Sequence, residues 1–185
     1  MTEGIFGLIG VLIGSGISLF QNYWTNKRIE NKNAKYLAIR IVCILNKYVE
    51  DCTDVINDNG LSTPEGYLQP NVKTPLPPNF PDDVDWKSID HELMYKILSF
   101  PSEIIAGNKT IDFSMDIATP PNFEEWFIER RFHYSQFGLK AHKLSEELSM
   151  NYNIKKKRYN DWNPVDDLKR ELINVTKKRE KNFQF

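Results

Sequence analysis

The chain predicts an all-α fold: a single N-terminal transmembrane helix that continues into a cytoplasmic antiparallel helical bundle, interrupted by one long Pro-rich connector. Three observations predict it. No charged side chain occurs from Gly4 to Phe20. Apolar residues then recur every three or four positions through most of the chain, which is the period of a helix and not of a strand. Between the helical stretches, six prolines fall at positions 64, 70, 75, 77, 78 and 81.

The first element is the apolar run. Gly4–Phe20 is 17 residues, and the span to Trp24 is 21. A helix needs about 20 residues to cross hydrocarbon. Tyr23 and Trp24 fit an interfacial belt, and Lys27, Arg28, Lys32 and Lys35 follow on one side only. That asymmetry predicts a single pass, N-terminus outside and C-terminal domain in the cytoplasm. A cleaved signal peptide lacks its basic leader here and a surface helix lacks a polar face; a buried soluble helix is the alternative, because five glycines make the run a weak hydrophobic stretch. Gly7, Gly10, Gly14 and Ser18 share one helix face and include a GxxxG. They are the candidate residues for association of membrane helices, and hence for a homo-oligomer. Glycine is also common in membrane helices without such a role.

The second element continues the first. Leu37, Ile41, Leu45, Tyr48, Cys52 and Val55 form a stripe that ends at Asn59-Gly60. One nearly continuous helix is expected from Thr2 to Asp58, with a bend or fraying at 31–33. Cys43 and Cys52 are nine residues apart, about 900° of helical turn, so they lie on opposite faces and cannot bridge. Both read as small core residues in a reducing compartment.

Residues 61–85 read as an extended connector of polyproline character. Pro75-Leu-Pro-Pro78 is a PxxP, which either binds an SH3-like groove or is a stiff spacer.

The remaining residues, 86–185, should form helices that pack on 34–58. Ile89, Leu93, Ile97 and Phe100 mark one face. Pro101 should restart a helix. Phe123, Phe127, Arg130, Tyr134, Phe137, Ala141, Leu144 and Leu148 form a heptad seam on a long helix from Asn122 to Asn151. Asn163-Pro164-Val165-Asp166-Asp167 is an N-terminal signal with a cap, a first-turn proline and acids at the positive helix end. No segment alternates with period two.

Asp83-Val-Asp-Trp-Lys-Ser-Ile-Asp90, Pro120-Pro-Asn-Phe-Glu-Glu-Trp-Phe127, Gly138-Leu-Lys-Ala141 and Asp161-Trp-Asn-Pro164 resemble segments of an uncharacterised group of small bacterial single-pass membrane-anchored proteins. The resemblance implies a bacterial context, with the inner membrane as the one crossed, and no activity.

Charge is uneven. The formal net charge is −1, but residues 61–151 carry a net of −6 and residues 152–185 a net of +5. Lys155, Lys156, Lys157 and Arg158 are the densest basic run and the candidate anionic surface. Lipid, nucleic acid and plain solvation compete for it, with nucleic acid the weaker ligand. Arg130 sits on the apolar seam, so a desolvated guanidinium needs a carboxylate from Asp112, Asp116 or the first helix. Otherwise its stem packs and its head reaches water. Glu129 and His133, four apart, read as a solvated ion pair and not as a metal site. No phosphate loop, nucleophile elbow or cofactor signature is found, so no enzyme, metal or cofactor is expected. The sequence thus predicts a membrane-anchored interaction or scaffold module that docks a cytoplasmic protein. The alternative is a membrane-active effector that oligomerises through its glycine face.

Overall fold

In the computed structural model the chain is described at residues 2–159 and 162–182, with the side chains of residues 2–14 and Asn182 outside the description. Four helices carry the fold: α1 (Thr2–Ile56), α2 (His91–Ile117), α3 (Glu124–Asn151) and α4 (Pro164–Asn182). The link between α1 and α2 contains a two-residue antiparallel strand pair, β1 (Leu61–Ser62) with β2 (Leu68–Gln69), and a short 3-10 turn at Trp86–Ser88.

The all-α bundle stands. The expected membrane-spanning helix does not: among the described residues no helix is long and apolar enough to cross a membrane. The reason lies in how the length of α1 is used. The described side chains begin at Ser15, and only Ser15–Phe20 precede the amides and charges that α1 carries from Gln21 to Lys35, far short of the roughly 20 apolar residues that a crossing takes. The expected anchor at residues 1–24 is overturned by this. So is the expected placement in a bacterial inner membrane with its N-terminus outside.

Helix α3 is the centre of the bundle. Its buried residues occupy several faces, including Phe127, Tyr134, Phe137, Ala141, Leu144 and Leu148 from the seam, and it packs on α1, α2 and α4. It runs antiparallel to all three. Lys35, just past the middle of α1, bonds the carbonyl of Asn153 beyond the end of α3, whereas Asp58, just after α1, meets Arg130 near its start. Lys96 pairs with Glu147 while Asn108 bonds Tyr134. Leu168 lies beside Gly138 and Arg179 beside Glu129. The core is Leu37, Ile41, Leu45, Val49, Cys52 and Val55 of α1 with Leu93, Ile97, Phe100 and Ile104 of α2, the α3 seam, and Val165 and Leu168 of α4. Tyr48 and Phe100 meet edge to face at 5.8 Å between centroids, a geometry suited to their quadrupoles.

Three local expectations are corrected. Pro101 does not restart a helix; α2 runs through it. Proline in a helix interior removes one backbone hydrogen bond, but Ile97, Phe100 and Ile104 around it are fully buried, and that packing holds the helix together. Cys43 is exposed and only Cys52 is buried, because the turn that separates them leaves one on each face. The connector is not simply extended. Gly60, at φ +74°, takes the turn into β1, and a Cβ there would lie 2.9 Å from the Gln69 carbonyl oxygen. Pro78 and Phe80 are buried while Leu76 stands exposed, so the PxxP packs one of its prolines into the fold.

Candidate interaction surface

The seam residue Arg130 sits in a fully enclosed ion pair. Arg130 Nη1 lies 3.0 Å from Asp58 Oδ2, and both side chains are 1% exposed. Asp58 Oδ1 accepts from the Gly60 N–H at 2.9 Å, and its carboxylate also accepts from the N–H groups of Asn71 and Val72. Arg130 Nη2 donates to the Val72 carbonyl at 2.6 Å. Its guanidinium stands over the Trp126 ring. Arg131 adds bonds to the Asp58 carbonyl and to Asn59. Burial pushes the Asp58 carboxyl up, but the donors from Val72, Gly60, Asn71 and Arg130 outweigh it, so it is held below the usual value. This knot ties the connector onto α3. The partner of Arg130 is neither Asp112 nor Asp116. It is an acid two residues past the end of the first helix, and the Asp-Asn-Gly turn at 58–60 was the local signal for it.

A second polar cluster joins α3 to α4. Arg179 Nε donates to Glu129 Oε1 at 2.6 Å, and the guanidinium covers the Phe132 ring at 3.7 Å. His133 Nε2 stands 3.6 Å from Glu129 Oε2. Burial pushes the His133 pKa down, against Glu129, which raises it. Glu129 and His133 are therefore part of a half-buried interhelical contact and not a solvated pair. Among the described residues no group of three His, Cys, Asp or Glu side chains is placed to hold a metal ion.

Two of the four cations in the basic run are paired within the fold. Lys156 Nζ donates to Glu146 at 2.7 Å, and Lys157 pairs with Glu50 and lies over the Tyr159 ring. Lys155 and Arg158 are exposed. These pairs fold the tail onto α1 and α3. Together with His142, Ser145 and Ser149 they enclose a cavity of about 40 Å³, room for little more than a water.

The exposed surface of note lies on α1. From Ser15 to Asn33 every residue is exposed, and burial begins at Ala34. This arm is about 28 Å long at 1.5 Å per residue. Ile17, Leu19, Phe20, Tyr23 and Trp24 are all more than half exposed. At about 100° per residue they fall within one side of the helix, with Lys27 and Arg28 continuing it. Ser18, Gln21, Asn22, Thr25 and Asn26 fill the other side. Tyr23, Trp24, Lys27, Arg28 and Asn31 line an open concavity along this single helix. The expected interfacial anchors Tyr23, Trp24, Lys27 and Arg28 therefore do share a face. Of the expected association face, Ser18 is exposed and Gly7, Gly10 and Gly14 lie outside the described side chains. Ile17 and Phe20 were not expected in this surface, although their spacing to Trp24, three and then four residues, carries the signal.

Comparison of the chain with protein-family models, with curated proteins and with solved structures gives no match.

Proposed function

We propose that the chain is a helical interaction module, without catalysis of its own, that docks a protein partner through the arm of α1. The observation that carries this reading is the full exposure of residues 15–33 on a helix whose other half is core. An isolated helical stretch of this length is marginal in water, and large apolar side chains aligned on one face gain by being covered.

The occupant is an amphipathic helix with an acidic end. Ile17, Phe20 and Trp24 repeat at i, i+3 and i+7, the anchor spacing of helix-to-helix docking. Lys27, Arg28 and Lys32 then give the arm's C-terminal half a net positive charge, with Glu30 the one acid among them. Two copies of the arm side by side would oppose like charges when parallel and set the cations against uncharged residues 15–26 when antiparallel, so charge complementarity favours an acidic partner over self-pairing. Nucleic acid fits less well, because the cations sit at one end of the face and the aliphatic side chains at the other.

A titration of the full chain with a synthetic Leu/Glu amphipathic peptide tests the reading. Binding should weaken at least tenfold in Lys27→Glu/Arg28→Glu and again in Phe20→Ser/Trp24→Ser, and it should weaken with added salt. Absence of binding, or equal binding by a DNA duplex, would overturn it.

A further inference from the structure

The stripe of α1 that packs in the bundle does not stop where α3 stops. Inside the bundle it is Ala34, Ala38, Ile41 and Leu45, all buried, at alternating steps of four and three residues. The same steps carried toward the N-terminus reach Asn31, Lys27, Trp24, Phe20 and Ile17. Steps of this kind keep one side of a helix turned to a single neighbour. One seam thus runs from the bundle into the arm. It is closed from Ala34 onward and open from Ile17 to Asn31, where every residue is exposed.

Helix α3 leaves the seam because the chain turns back. The helix ends at Asn151, Asn153 takes a left-handed conformation at φ +49°, and the Ile154 N–H closes the turn on the Ser149 carbonyl. Lys35 Nζ holds the Asn153 carbonyl at 3.1 Å. Lys156 and Lys157 then reach Glu146 and Glu50, back toward the body of the bundle. Among the described residues none continues the course of α3 along the arm.

We infer that the partner helix takes up that course, packing antiparallel on the arm with its N-terminal turn facing the C-terminal end of α3. This rests on the arm being a docking surface and adds the partner's direction and register. Continuity with the existing contact gives the direction, since α3 lies antiparallel to α1 on the same seam. In that sense the positive N-terminal end of the partner meets the negative C-terminal end of α3. The opposite sense would set two carbonyl ends against each other.

Charge agrees. Lys27 stands on the open seam and Arg28 beside it, toward the bundle, while Ile17, Phe20 and Trp24 take the outer part. The partner therefore carries its acids in its first turns, where acids also stabilise a helix, and apolar seam residues after them. The open seam is 15 residues long, about 22 Å, which a helix of about four turns covers.

Two peptides of one composition, each about five turns long with Leu at every seam position, test the direction on the full chain. One carries its Glu residues in the N-terminal turns, the other in the C-terminal turns. The first should bind about tenfold tighter or more, and Lys27→Glu/Arg28→Glu should erase that difference. A nitroxide on the N-terminus of the first peptide should broaden the amide signals of residues 31–35 and 152–154 and spare those of 15–18. Binding by neither peptide would overturn the docking reading and this inference with it. Equal binding of the two, or broadening at 15–18 instead, would overturn the direction and leave docking standing.

Discussion

Arg130 and Asp58 are 72 residues apart in the chain and 3.0 Å apart in the fold, and both are shut away from water. A buried pair of this kind contributes little over an apolar pair of equal volume, but removing one member leaves a desolvated charge. Asp58→Ala should therefore lower stability by about 3–5 kcal/mol, read by urea unfolding. It would strand Arg130 together with the N–H groups of Gly60, Asn71 and Val72. Arg130→Lys should rescue little, because a single ammonium cannot reach the carboxylate and the Val72 carbonyl with the fork of a guanidinium.

The same pair sets an acid limit. The Asp58 carboxyl is held below its ordinary value in the fold. Its contribution is then complete above the unfolded value, about 3.9, and is lost as pH falls through the lower folded value. In Asp58→Asn the loss of stability between neutral and acid pH should be smaller than in the wild type. An unchanged pH dependence would show that other carboxylates carry it.

His133 acts at higher pH. Its pKa is lowered, first by burial and then by Arg179 against the pull of Glu129, so the fold prefers the neutral ring. Stability from this group is complete above about pH 6.5 and is lost as pH falls through the depressed folded value. His142 is lowered for the same first reason. His133→Gln should reduce, without removing, the fall in unfolding free energy below about pH 6.5. The partner groups face it from α3 and α4, so Arg179→Gln should raise the titration point of His133, as followed by NMR.

Gly138 is where three helices meet. A Cβ there would lie 2.7 Å from Leu168 Cδ1 and 3.0 Å from Cys52 Cβ. The leucine tip can turn aside and the Cys52 Cβ, fixed to α1, cannot. Gly138→Ala should cost about 1–3 kcal/mol of stability, measured by thermal or urea unfolding. Adding Leu168→Val should recover part of that loss, and equal losses in the single and double variants would show that Cys52 sets the limit.

Much of this architecture was legible in local pattern. The stripe from Leu37 to Val55 foretold a helix ending within two residues of Ile56. The heptad seam foretold the buried face of α3, and Asn163 caps α4 through the Val165 N–H as its sequence suggested. What local pattern could not hold was anything decided across the bundle. Pro101 reads as a helix start, and only the burial of Phe100 and Ile104 against other helices makes it an interior residue. The run Lys155–Arg158 reads as a free basic patch, and only contact with Glu50 and Glu146 shows two of its charges to be paired.

The candidate surface divides in the same way. Arg130's need for a carboxylate followed from its place on the seam, but the identity of that carboxylate depended on how the chain turns at Gly60. Tyr23, Trp24, Lys27 and Arg28 read together as a belt, and the apolar run that precedes them points that belt at a membrane. The side chains that follow Gln21 in α1 are too polar for that reading.

The central claim is that the arm of α1 is a docking surface. Hydrogen exchange of the full chain, read by mass spectrometry with and without the acidic amphipathic peptide, tests it most directly. Alone, residues 15–33 should exchange fast while residues 34–56 and α3 are protected, because the arm lacks the packing that closes the rest of the helix. With the peptide, new protection should appear over 15–33. Strong protection of the arm in the free chain, or peptide-induced protection confined to α2, α3 or α4, would contradict the account.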